Sequence, residues 1–130
     1  MGRPEVHIYD NDVEKYGDSV KEVNLRLDGS WATLTIKHEI ESYLHAGAIR
    51  DAFGVDIVIP DYQDDLDRAV PKLFSAALHA ANPVGHPIND TTAKKRLAAK
   101  AFPAMTAGRI KERDPAGEVE GWFRRLVAMI

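Results

Sequence analysis

Hydrophobic and polar residues alternate in two short segments of the N-terminal half of the chain. Residues 5–9 form the first segment, and residues 31–36 form the second, after a turn at residues 27–30. Between them, apolar residues recur at helical spacing, beginning at Asp12, which is a suitable N-cap. The pattern therefore predicts a strand, a helix and a second strand.

Helical spacing dominates the rest of the chain, although residues 55–59 fit either a strand or a buried loop. The predicted helices cover residues 37–54, 64–81, 92–102 and 115–130. The first has a break near Gly47, and in the second Pro71 starts or kinks a helix. The third is capped by Asp90 or Thr91. The last helix has the clearest pattern, with Asp114 as cap and Pro115 in its first position. Its apolar stripe comprises Val119, Trp122, Phe123, Leu126, Val127 and Ile130.

This order of elements predicts an α/β fold with a small sheet at the N-terminus, followed by a mainly helical C-terminal half. We divide the chain into an α/β region, 1–60, and a helical region, 61–130, and expect the two to pack as one domain, since 130 residues suit a single core. A sheet of two or three strands is marginally stable alone, so we expect it to have partners.

Composition excludes several classes of function. The chain has 0 cysteines, which excludes disulfides, thiolate metal sites and a cysteine nucleophile. It has no apolar run of the roughly 20 residues that span a membrane, so we expect a cytoplasmic protein without a membrane partner. It also has no glycine-rich phosphate loop, so we expect no nucleotide site on this chain.

Charge is unevenly distributed around a net value of -3. Acidic residues dominate 5–28 and 51–67, whereas basic residues dominate 91–113. The acidic segments could bind metal ions, and the basic segment could bind phosphates. Charge patterning alone favours the simpler interpretation that these segments are solvent-exposed faces of helices. The residues that would contact nucleic acid are Lys94, Lys95, Arg96, Lys100, Arg109 and Lys111.

Asp10 and Asp12 follow the first predicted strand. Side chains of alternate residues share a face of a strand, and ligands of α/β sheets bind at the carboxyl ends of strands. Two carboxylates there would suit Mg²⁺ or Mn²⁺. The same spacing is common in turns and helix caps, and spacing alone favours that structural interpretation.

A second group of charged residues lies where the second strand meets the next helix: Lys37, Glu39 and Glu41. A lysine there can neutralise charge that develops during phosphoryl transfer. The glutamates can equally serve the first turn of a helix, where the helix dipole favours negative charge.

The segments "EVHIYDNDVEKY" and "DGSWATLTIKHEIESYLH" together resemble the C-terminal half of Toprim nuclease domains. The likeness is greatest to the overcoming-lysogenisation-defect (OLD) family of ATP-dependent endonucleases. It implies that Asp10 and Asp12 bind the catalytic Mg²⁺ or Mn²⁺, and that Lys37, Glu39 and Glu41 lie at the nuclease centre. It also implies a Toprim-like sheet that lacks an earlier, glutamate-bearing strand, since only nine residues precede Asp10.

We therefore expect a fragment of a Toprim-type, metal-dependent DNA endonuclease of an OLD-like phage-defence or DNA-processing protein. Its expected partners are DNA and an ATPase or the missing Toprim half. The alternative is a catalytically inactive, Toprim-derived interaction module that binds a protein partner or forms a homodimer through an unpaired sheet edge or an apolar helix face.

Overall fold

A computed structural model describes residues 3–11, 13–60 and 69–129. Within these residues the chain has one parallel sheet of two strands and six α-helices, so the predicted α/β class with mainly helical content is confirmed. The elements in chain order are β1 (Val6–Tyr9), α1 (Tyr16–Asn24), β2 (Trp31–Leu34), α2 (Ala46–Phe53), α3 (Val70–Ala81), α4 (Asp90–Arg96), α5 (Ala107–Arg113) and α6 (Glu118–Ala128). No helix in the described part of the chain is both long and apolar enough to cross a membrane.

The chain divides into two compact units. The first unit contains residues 1–40 and 116–130, and the second contains residues 41–115. The first unit thus holds the sheet, α1 and α6, and the second holds α2 to α5. The division at residue 60 that we predicted from the sequence stays a prediction.

In the first unit, β1 and β2 lie side by side in the same direction. Val6 is opposite Trp31, and Tyr9 is opposite Leu34. The ring of Tyr16, at the start of α1, lies 5.2 Å from the ring of Tyr9. Helix α1 therefore covers the sheet face that carries Tyr9, which is how a helix that links two parallel strands usually packs. The helix begins later than the sequence predicts, and the predicted cap Asp12 lies outside the described residues.

Side chains cover the outer edge of β2 at two positions. The Asn24 side chain at the end of α1 accepts a hydrogen bond from the Ala32 N–H (2.9 Å) and donates one to the Ala32 carbonyl (3.1 Å). Beyond the strand, the Ile36 N–H donates to the Glu118 carboxylate, with distances of 3.1 and 3.2 Å to its two oxygens. An amide and a carboxylate thus take the places that a third strand would occupy.

A charged network joins the N-terminal end of β1 to α1. Arg26 donates hydrogen bonds to Glu22 (2.9 Å) and to Glu5 (3.1 Å), and the His7 ring lies 2.7 Å from the same Glu5 carboxylate. The hydrogen bond with His7, followed by that with Arg26, lowers the pKa of Glu5 below its usual value. This network lies at the end of the strand opposite to Asp10.

Helix α6 differs from its prediction at both its start and its apolar stripe. It begins at Glu118, after Gly117 in the left-handed conformation (φ 72°), and the predicted cap Asp114 instead ends α5. Trp122 is buried, but Phe123 and Val127 are 62% and 68% exposed. Two strands about 4.8 Å apart form a surface too narrow to cover the whole stripe.

In the second unit, the core lies between α2, α3 and the segment that continues α4. Its fully buried members are Leu44, Ala48, Ile49, Val70, Phe74, Ala93, Leu97 and Ala101. The rings of Phe53 and Phe74 pack at a centroid distance of 4.6 Å. These residues recur at helical spacing in the sequence, so one apolar face of each helix supplies the core.

The helix predicted over residues 37–54 is wrong in its first half. A 3₁₀ turn covers Ile40–Tyr43, and α2 begins only at Ala46, because His45 takes an extended conformation and caps the helix. The predicted end at Gly54 is confirmed, and this glycine has the left-handed φ of 71° that ends many helices. Residues 55–59 form no strand.

The other helices of the second unit follow the sequence more closely. Helix α3 has Pro71 in its first turn, as predicted, and residues 64–68 of its predicted range lie outside the described part. The cap of α4 is Asn89 rather than Asp90 or Thr91. A π-helical turn, Leu97–Ala101, and a 3₁₀ turn with Pro103 continue α4. Helix α5, capped by Thr106, was not predicted.

His45 caps α2 with its imidazole ring, and this gives a testable stability prediction. Its Nδ1 accepts a hydrogen bond from the Gly47 N–H (2.9 Å), and its Nε2 contacts the Glu112 carboxylate. We expect His45→Ala to lower the free energy of unfolding by about 1 kcal/mol, the usual cost of losing an N-cap. Urea denaturation followed by circular dichroism measures the change.

Two further variants separate the cap from the contact with Glu112. His45→Asn should restore most of the loss, because asparagine is a strong N-cap. Glu112→Gln should cost less than His45→Ala, because it leaves the bond to Gly47 in place. A His45→Asn protein as unstable as His45→Ala would contradict the capping role.

Candidate functional site

The carboxyl ends of β1 and β2 meet at one edge of the sheet, since the strands are parallel. Asp10 directly follows β1, and Glu39 lies five residues after the end of β2. Both residues belong to the first unit. The topology of the sheet therefore brings two carboxylates, distant in the sequence, to the same place.

Two hydrogen bonds fix this arrangement. The Asn11 N–H donates to the His38 carbonyl (2.9 Å), and the Ile40 N–H donates to Oδ1 of Asp10 (2.9 Å). Glu39 lies between His38 and Ile40, and each of these neighbours makes one of the two bonds. The backbone around Glu39 is thus held against the end of β1, and Asp10 keeps one oxygen in a defined direction.

One carboxylate oxygen of Asp10 and one of Glu39 lie within 4.8 Å of each other. Glu39 is only 3% exposed, and Asp10 is half-buried. Two ionised carboxylates at this distance repel each other, and a cation between them removes the repulsion. Oxygens bound to one Mg²⁺ at about 2.1 Å lie at most about 4.2 Å apart, so a small adjustment suffices. The pair therefore fits a hard divalent cation.

The structure describes two of the other three predicted site residues, Lys37 and Glu41. Asp12, the predicted second metal ligand, lies outside the described residues. Lys37 is half-buried in the first unit, and its carbonyl accepts a hydrogen bond from Oγ1 of Thr35 (2.7 Å). Glu41 is 7% exposed and is the first residue of the second unit. Their predicted roles in catalysis and metal binding stay predictions.

The predicted nucleic-acid-binding residues all belong to the second unit, and their surroundings differ. Arg109 donates hydrogen bonds to Asp51 (2.6 Å) and to the Ala104 carbonyl (2.8 Å), so its guanidinium stabilises the unit itself. Lys94 is half-buried. The exposed residues of the set are Lys95, Arg96, Lys100 and Lys111. These four side chains are the ones free to reach a phosphate backbone, and their binding role stays a prediction.

The sequence prediction did not include the pairing of Asp10 with Glu39. It placed Asp10 with Asp12 by spacing and assigned Glu39 to catalysis by resemblance. One feature of the sequence could have indicated the pair: each carboxylate follows a predicted strand, and the carboxyl ends of parallel strands meet. The hydrogen bond from Ile40 to Asp10 had no counterpart in the sequence pattern.

No known protein family, no curated protein and no solved structure matches this chain.

Proposed function

We propose that this chain is a fragment of a Toprim-type, metal-dependent DNA endonuclease like those of the OLD family. The observation that carries the proposal is the pair of carboxylates, Asp10 and Glu39, within 4.8 Å at the carboxyl ends of two parallel strands. It supports metal binding at the place where α/β sheets bind their ligands. The resemblance of the segments around both residues to Toprim domains supplies the reaction, which is hydrolysis of a phosphodiester.

Each residue then has a defined task. Asp10 and Glu39, with Asp12, would hold Mg²⁺ or Mn²⁺, and such an ion supplies charge stabilisation and an activated water. Lys37 would neutralise charge on the phosphate, and Glu41 would act beside Glu39. The DNA backbone would contact the four exposed residues of the basic segment, Lys95, Arg96, Lys100 and Lys111. An ATPase or the missing Toprim half would complete the enzyme in the cytoplasm.

A nicking assay tests this proposal. Purified chain is incubated with supercoiled DNA and Mg²⁺ or Mn²⁺, and nicked product is measured over time. We expect Asp10→Asn and Glu39→Gln to reduce nicking by at least about 10- to 100-fold, the loss that even outer-shell changes cause at metal sites. Both changes preserve side-chain size, and Asp10→Asn can still accept the hydrogen bond from Ile40.

Asp18→Asn is the matched control, because Asp18 is an exposed carboxylate in the first turn of α1. It should leave nicking unchanged. Thermal denaturation with and without the metal gives a second measurement, and we expect the metal to raise Tm for the unmodified chain and for Asp18→Asn only. Absence of nicking together with an unchanged Tm would refute the proposal, as would equal nicking by all variants.

A second candidate function is a non-catalytic interaction module. The observation that favours it is the outer edge of β1. Among the described residues, β2 is the only strand that pairs with β1, and the sheet has two strands. Sheets of this size are marginally stable alone, and an open edge is a site where another strand can add.

A further inference from the structure

The open edge of the sheet has a defined pattern of donors and acceptors. The Thr35 N–H donates to the Tyr9 carbonyl (2.9 Å), so Tyr9 and every second residue before it direct their backbone groups towards β2. Val6 and Ile8 therefore direct their N–H and C=O groups away from the sheet. Ile8 is also 37% exposed.

The two edges of the sheet differ in how they are covered. On β2, Asn24 and Glu118 occupy the outward backbone groups of Ala32 and Ile36. On β1, no described residue makes a hydrogen bond with the outward backbone groups of Val6 or Ile8. Within the described residues, the β2 edge is thus covered at Ala32 and Ile36, whereas the β1 edge is open to a further strand.

We propose that β1 pairs with β1 of a second copy of this chain, antiparallel, about a two-fold axis at His7. The proposal rests on the interaction-module function and does not depend on the metal pair. In this register Val6 lies opposite Ile8 of the second copy, and Ile8 opposite Val6. The two sheets then form one sheet of four strands.

The edge is self-complementary in this register. The outward N–H and C=O groups of Val6 and Ile8 make about four hydrogen bonds with the same groups of the second copy, since each facing pair exchanges two. The exposed Ile8 side chain packs on Val6 across the interface, a favourable pair of β-branched residues. Pro4, which has no N–H to donate, falls just beyond the paired region, where no donor is needed.

The two-fold arrangement also closes the edge. Antiparallel pairing uses the β1 edge of both copies and leaves only the β2 edges, where Asn24 and Glu118 already bond the outward groups of Ala32 and Ile36. Such an isologous contact ends at a dimer, which is the commonest form of symmetric association. The short ladder buries little area, so we expect a weak dimer that forms as the concentration rises.

Sedimentation analysis over a range of concentrations tests the proposal with two variants of one residue. Ile8→Pro removes the outward N–H and leaves the bonds between β1 and β2 intact, because proline is tolerated where the N–H of an edge strand faces solvent. Ile8→Thr keeps the N–H and the β-branched shape but loses apolar surface. We expect Ile8→Pro to raise the dimer Kd at least about tenfold, and Ile8→Thr to raise it less.

Amide hydrogen exchange on the unmodified chain gives a readout that needs no variant. The amides of Val6 and Ile8 should become protected as concentration rises, while that of Asn11, bonded to His38, should not change. An unmodified chain that stays monomeric to about 1 mM, or a dimer whose formation leaves these two amides unprotected, would overturn the proposal. Either result leaves the metal assay with Asp10→Asn and Glu39→Gln as an independent test of the nuclease function.

Discussion

Phe74→Ala is expected to lower the free energy of unfolding of the second unit by about 3–5 kcal/mol, the usual cost of truncating a buried phenylalanine to alanine. Phe74 is 0% exposed, and its ring packs on Phe53 at 4.6 Å. It belongs to the core with Leu44, Ile49 and Leu97, which are equally buried. Few of these neighbours can move into the space, because helices on several sides hold them in place.

The measurement is urea denaturation followed by far-ultraviolet circular dichroism, which reports the helices of both units, and four of the six helices, α2 to α5, belong to the second unit. Phe74→Leu is the matched control, and it should cost less than half as much because it leaves a smaller cavity. Ala76→Ser, at an exposed position of α3, should change stability by less than about 0.5 kcal/mol. A loss below about 1 kcal/mol for Phe74→Ala would show that this ring is not central to the core.

The spacing of apolar and polar residues along the sequence was enough to predict the strands and the face of α3 that forms the core. Alternation over residues 5–9 and 31–36 requires only neighbouring residues, and both strands appear nearly where it placed them. The start of α6 was wrong because Asp114, Pro115 and Gly117 suit a turn as well as a helix start, and the chain turns there, with Gly117 in the left-handed conformation. The first half of the helix predicted over 37–54 was wrong because His45 acts as a cap, an uncommon role for histidine.

The candidate site could be predicted only in part. Asp10 stood out because it follows a strand and matches a family motif. Its closeness to Glu39 depends on the parallel register of the strands and on the hydrogen bond from Ile40, which are tertiary features. Likewise, charge alone grouped Arg109 with the nucleic-acid-binding residues, whereas its position in the fold pairs it with Asp51.

The side chain that substitutes for a strand, Asn24, shows how tertiary structure supports this small sheet. The single amide satisfies both the N–H and the C=O of Ala32, which is 2% exposed. Asparagine is a poor helix former, so its place at the end of α1 is explained by these two bonds rather than by helix propensity. The free energy of unfolding of the first unit should therefore depend strongly on this side chain.

Asn24→Ala is expected to lower the free energy of unfolding of the first unit by about 2 kcal/mol. Loss of the amide leaves a buried donor and an acceptor at Ala32 without their partner, which costs about 1–3 kcal/mol. The better helix propensity of alanine offsets only about 0.6 kcal/mol. Asn24→Asp should be at least as harmful, because its carboxylate keeps the bond from the Ala32 N–H but repels the Ala32 carbonyl.

Tryptophan fluorescence during urea denaturation measures this change selectively. The chain has 2 tryptophans, and both, Trp31 in β2 and Trp122 in α6, belong to the first unit. Lys21→Ala, at an exposed position of α1, is the control and should be neutral or slightly stabilising, since it gains propensity and loses no bond to the sheet. If Asn24→Ala proved as stable as Lys21→Ala, the edge of β2 would need no cap. The contrast with the open edge of β1, from which the dimer was inferred, would then lose its energetic basis.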